Sequence, residues 1–179
     1  MTFDAAFQAL HDFYILASTG SATLVGLLFV GLSLHLRTVI AVPEVRSLAR
    51  FTLSNFGTVL FSSMFLVINE GPIAAGYQLI GVALITIVVV SSSVVSIFRA
   101  RRGLPASRME RVRIILRFGS SALGYIAVGA AGVLVLAGQI DLFMFVIEVS
   151  LLLLLVVALR NTWDLLVTVA ELTVEDGKP

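Results

Sequence analysis

The chain has 179 residues, of which 59% are hydrophobic and 13% charged, and a formal net charge of +1; its mean hydropathy is +1.06. A soluble domain is about 45–50% apolar and about 25% charged, so a water-soluble fold of this length could not cover its own apolar surface, and hydrocarbon is expected to be the solvent for most of it. The absence of cysteine excludes disulfides, thiolate catalysis and cysteine-bound metals.

The opening MTFDAAFQALHD carries Asp4 and Asp12 and no Lys or Arg. A cleavable signal peptide needs a basic start, so the apolar run that follows is expected to be a retained span. About 20 apolar residues cross the hydrocarbon core as a helix, and five segments meet this requirement: 13–34, 51–69, 73–98, 114–137 and 142–159. The sequence therefore predicts an all-α fold, a polytopic bundle of five transmembrane helices in a single membrane domain. Pro43-Glu44 suits a helix start, with proline in the first turn and a carboxylate at the positive end of the dipole. Gly71-Pro72 closes one helix and opens the next, Gly103 and Pro105 do the same further on, and Gly138 can end the fourth span, with Asp141 as the cap of the fifth. Beyond 159, residues 160–174 stay apolar without a helix breaker, which predicts a cytoplasmic helical extension. It either frays at the interface or projects as a stalk whose apolar residues need a partner.

Two spans sacrifice side-chain bulk. In the first, Ser18, Ala22, Gly26, Phe29 and Ser33 recur at spacings of three and four and form one stripe, small except for Phe29. The fourth repeats the device with Ser120, Gly124, Ala127 and Ala131. Small residues let helix backbones approach closely in a membrane, where association relies on dispersion contact rather than on expulsion of water. The first expectation for both stripes is contact between helices of the same chain; a subunit interface or a pore lining are the alternatives.

The segment HDFYILASTGSATLVGLLFVGLSLHLR, residues 11–37, resembles the start of a group of small uncharacterised bacterial multi-pass integral membrane proteins. These open with an aromatic-rich juxtamembrane turn, followed by a Gly/Ala/Ser-rich span ending in a GLLFV-like block. The resemblance covers residues 12–37 and extends to the NTWDLL block at 161–166. It implies a bacterial plasma membrane address and no particular chemistry.

Arginine sets the expected orientation. Arg37, Arg46 and Arg50 flank the first connection; Arg99, Arg101, Arg102, Arg108, Arg111, Arg113 and Arg117 flank the third; Arg160 and Lys178 follow the last span. All twelve bases thus fall on one side of a five-span chain, and the positive-inside rule predicts N-terminus out and C-terminus in. The arginines near the third connection are also expected to attract anionic lipid head groups, at about 1 kcal/mol per base. Nucleic acid is not an expected partner, because no aromatic stacking platform accompanies them. Trp163 suits the cytoplasmic interface, and Arg160 and Asp164, four residues apart, can pair on one helix face.

Glu148 is the sharpest candidate for function. It lies seven residues inside Asp141, roughly 10 Å along the helix, and an ionisable group at such depth points to function by default. Two turns also bring Asp141 and Glu148 to one face, which could form an acidic entrance for cations. Gln78, at comparable depth, is the expected partner of Glu148 if the acid is instead neutral and hydrogen-bonded. On the other side, Asn55 and Arg117 are expected about one turn inside the membrane boundary, where Arg117 could meet Asn55 or Asp164. Catalysis has little support. His11 and His35 are 24 residues apart, roughly 36 Å on a helix, and no HExxH, serine–histidine pair or phosphate loop is present. The sequence predicts no enzyme, metal or cofactor. It favours an interaction or regulatory component acting through lateral helix contact, a homo-oligomer or the partner of another membrane protein. The alternative is a small homo-oligomeric cation channel entered at Asp141 and Glu148.

Overall fold

The computed structural model describes residues 3–68, 70–100 and 108–176. They form six helices: α1 (Phe3–Leu34), α2 (Leu36–Ala41), α3 (Pro43–Ile68), α4 (Pro72–Ala100), α5 (Arg108–Leu136) and α6 (Ile140–Asp176). Among the described residues there is no strand. Five helices are long and apolar enough to cross a membrane, over Ala5–Leu34, Val45–Ile68, Pro72–Ser92, Gly119–Leu136 and Ile140–Ala170, so the chain is a multi-pass helical membrane protein. Large apolar side chains such as Leu16, Leu27, Val88 and Phe145 lie exposed on the bundle surface, as expected where lipid rather than water is the solvent.

The turns are local glycine chemistry. Gly71 and Gly138 have φ of 93° and 73°, a region open to residues without a Cβ. After α5, Gly138 N–H donates to Val135 O (3.1 Å) and Gln139 N–H to Leu134 O (2.9 Å); this is the Schellman arrangement, which satisfies the last carbonyls of the helix. Gln139 O in turn accepts Phe143 N–H, so Gln139 caps α6. Asp141 falls inside the first turn instead of at the cap expected from its side chain, and there its carboxylate faces the positive end of the helix dipole.

α3 packs against α1, α4 and α6, and α6 against α1, α3 and α5, so these two helices form the centre of the bundle. One core gathers Tyr14, Val59, Leu66, Leu79, Tyr125, Phe143, Ile147 and Leu154; a second, around the other ends of α1 and α3, gathers Leu28, Val39, Val45, Ala49, Phe56, Ala158, Leu165 and Val169. Three boundaries depart from the hydropathy pattern. α1 begins ten residues before the expected 13 because Phe3, Phe7 and Tyr14 form one buried aromatic face, with Phe3 lying 6.3 Å from Phe143 between ring centroids. α3 begins at Pro43 because Val45 and Ala49 are buried one turn apart. The connection between the first two spans contains α2, whose Val39 is buried in the second core.

The extension at 160–174 neither frays nor stands free over its first ten residues. α6 runs unbroken to Asp176, and Ala158, Asn161, Leu165 and Val169 make a buried stripe at helical spacing. That stripe shares its core with Val39 of α2 and Val45 and Ala49 of α3. The partner surface for these apolar residues is therefore in the same chain, supplied by the start of α3 together with the short helix that hydropathy alone does not detect.

Candidate functional site

The most concentrated polar chemistry lies inside the bundle, on α3. Thr52, Asn55, Thr58, Ser62 and Ser63 are all buried. Asn55 lies ten residues inside the helix segment of membrane-crossing length that starts at Val45, roughly 15 Å along it and so near its middle, further in than the single turn given by a span that starts at 51. An amide at that depth must find partners in the protein. Asn55 Nδ2 donates to Ser121 Oγ (3.1 Å) and Asn55 Oδ1 accepts the Tyr125 phenol. Both partners lie on α5, so the amide ties α3 to α5. Ser121 and Tyr125 are four residues apart on α5, hence on one face. One turn further along α3, Thr58 Oγ1 donates to Ser54 O (2.8 Å) and meets Thr86 Oγ1 of α4 at 2.9 Å. On the opposite side Ser21 of α1 donates to Phe56 O at 2.7 Å. α3 is thus bonded through side chains to three neighbours, and the arrangement fixes helix register rather than exposing a reactive group. Ser62 and Ser63, one turn on, keep buried hydroxyls without a partner among the described residues.

α4 and α5 meet through glycine. A Cβ on Gly132 would stand 2.7 Å from Gly76 O and 2.9 Å from Ile80 Cγ1, and one on Gly76 would stand 2.5 Å from Leu136 Cγ. A Cβ on Gly124 would meet Leu154 of α6 at 2.5 Å. The small stripe of the fourth span is accordingly used inside the chain: Gly124 and Ala131 are buried, Ser120 and Ala127 half-buried.

The first-helix stripe has a different fate. Ser18 is half-buried, but Ala22, Gly26 and Ser33 are exposed, and nothing lies within 4 Å of a Cβ built on Gly26. At 100° per residue the stripe points roughly 120° away from the Ala17–Ser21–Leu28 face that α1 turns inward. Contact between α1 and α3 is made by Ala17 and Ser21 instead, and among the described residues nothing packs on the Gly26 position of the stripe. The hydroxyls of Ser18, Thr23 and Ser33 bond to carbonyls of their own helix, leaving a smooth outward surface.

Glu148 is half-buried and Asp141 exposed. Gln78, the expected partner of Glu148, donates through Nε2 to Glu70 Oε2 at 2.9 Å instead. The reason is connectivity: Gln78 is on α4, which contacts α3 and α5, and Glu70 sits in the turn just before it. Gln78 Oε1 and His11 Nδ1 are buried without a partner among the described residues. Arg160 and Trp163 are exposed and Asp164 half-buried near the end of α6. Arg99 ends α4, and Arg108, Arg111, Arg113 and Arg117 occupy the first three turns of α5; Arg101 and Arg102, like Lys178, lie outside the described residues. Asn55 was legible as an oddity in an apolar span; Ser121, Tyr125 and the Thr58–Thr86 pair were not, since serine, threonine and tyrosine are common in such helices and only the helix pairing brings them together. Comparison with protein-family models, with curated proteins and with solved structures finds no match.

Proposed function

We propose that the chain is an interaction component of its membrane, working through lateral contact of α1 with another helix. The observation that carries this reading is the open Ala22–Gly26 surface of α1, beside an α5 stripe of the same composition that is covered within the chain. A small-residue face gives no advantage against lipid, yet it permits close approach of a second backbone and the dispersion and Cα–H···O contacts that follow. The arginine distribution supports an orientation with the N-terminus outside and the C-terminus in the cytoplasm of a bacterial plasma membrane. No catalytic step is part of this reading.

The test is oligomer mass in nanodiscs together with melting in detergent. Wild type is expected to associate with itself or to retain a membrane protein on purification, and Gly26→Leu to lose that association with an unchanged melting temperature. Association that survives Gly26→Leu would refute the proposal. A homo-oligomeric cation channel has less support. The Asn55, Ser121 and Tyr125 groups satisfy one another, as do Thr58 and Thr86, and Gln78 is bonded to Glu70 and not to Glu148, so the expected acidic path is not supported by a second group beside Glu148.

A further inference from the structure

Between α3 and α4 the bundle surface opens into a groove of about 350 Å³, walled by Phe61, Phe65, Val82, Ile85 and Val89 and floored by Gly57, Ser54 and the Thr58–Thr86 pair. Three observations determine what it can hold. First, every lining residue lies within a span of membrane-crossing length, so the groove opens onto hydrocarbon. Second, its floor is nearly spent as a donor: Thr58 donates to Ser54 O, and Thr86 is then the donor to Thr58, which leaves the Ser54 hydroxyl. The rest of the lining is apolar and suits an apolar occupant. Third, its size suits an extended chain. From Ser54 to Phe65 the groove runs roughly 16 Å along α3. A hydrocarbon chain roughly 4–5 Å across, by the contact distance of carbon, needs only about 200–300 Å³ over the same length. That length is also about half of the ~30 Å hydrocarbon core, the reach of one leaflet.

We propose that this groove is a seat for a single lipid acyl chain, held between the Phe61–Phe65 and Ile85–Val89 walls. Gly57 makes the seat: a Cβ there meets nothing within 4 Å, so the space over it belongs to the occupant and not to the fold. A chain in the groove exchanges slowly compared with the chains against the open face of α1, because it is contacted on three sides and gains dispersion attraction from each.

The test uses the full chain in nanodiscs of phosphatidylethanolamine and phosphatidylglycerol doped with a phospholipid carrying a mid-chain diazirine, with adducts mapped by mass spectrometry after irradiation. Adducts are expected to concentrate on Phe61 and Ile85 relative to Leu16 and Leu27 of α1. Gly57→Leu places side-chain atoms in the groove from a Cβ position with nothing within 4 Å, and it is expected to lower labelling at Phe61 several-fold while labelling on α1 stays constant. Ile85→Ala, which removes one wall at an exposed position, is a second variant with the same expectation at Phe61. Gly26→Leu is expected to leave groove labelling unchanged, which separates this proposal from association through α1. Uniform labelling of both faces, labelling insensitive to Gly57→Leu and Ile85→Ala, or photo-crosslinks from the groove to a second polypeptide would overturn it.

Discussion

Replacing Gly132 by alanine adds one methyl at the point where α4 and α5 come closest. That methyl carbon would lie 2.7 Å from Gly76 O, 2.9 Å from Ile80 Cγ1 and 3.2 Å from Ile80 N. Non-bonded carbon contacts are comfortable at about 3.5–4.0 Å, so the helices must separate locally by roughly 0.5–1 Å, and a gap of that size forfeits about a quarter to a half of the dispersion energy of each atom pair across it. Two of the three obstacles are backbone atoms, which cannot move aside as a side chain can. Overfilling of this kind costs about 1–3 kcal/mol, offset by the gain of about 1 kcal/mol for alanine over glycine in a helix. The net expectation is a loss of up to about 2 kcal/mol, hence a fall in melting temperature of up to about 8 °C for a chain of this size. Gly26→Ala is the matched control: it makes the same change where nothing lies within 4 Å, so melting is expected to stay level or rise slightly. Thermal loss of helical circular dichroism in detergent reads both variants; a thiol-reactive dye would not, since the chain has no cysteine. If Gly132→Ala and Gly26→Ala melt alike, α4 and α5 do not touch at these glycines and the argument for close approach fails.

A double-mutant cycle between Asn55→Ala and Tyr125→Phe is expected to give a coupling energy of about 0.6–1.7 kcal/mol by detergent unfolding, the range found for hydrogen bonds between membrane helices; strictly additive losses would mean the two side chains act independently. Leu165→Ala is expected to destabilise by about 2–4 kcal/mol, as for a fully buried leucine, and to raise hydrogen exchange in both α2 and the last turns of α6. An effect confined to α6 would mean that this helix end stands alone. Glu148→Gln is expected to leave liposomal cation flux at the level of protein-free vesicles, as wild type does; flux that is present in wild type and lost in the variant would revive the channel reading.

The five membrane-length helices were legible because hydropathy over a long window is insensitive to detail, and Gly71, Pro72 and Gly138 punctuate it. The ends of the helices were not, because burial by neighbours rather than apolar content sets them: Phe3 and Val45 are helical since they meet Phe143 and Leu165 in their cores. α2 escaped notice because six residues carry too little periodicity to register. Asn55 could be flagged from its type, but its partners lie 66 and 70 residues away, a separation about which local spacing carries no information. The two small-residue stripes look alike in sequence and meet opposite fates because spacing identifies a face without saying where the face points.

The distance along the chain between Asn55 and its partners also governs how the molecule is made. α3 leaves the ribosome while Ser121 and Tyr125 are still unsynthesised, and at about 5–20 residues per second the gap of 70 residues lasts about 4–14 s. During that interval the mid-span amide of Asn55 lacks the partners it has in the finished bundle, although Ser21 of α1 is already present to engage Phe56. The hydrogen bonds of the Asn55 amide can therefore be completed only after α5 has been made.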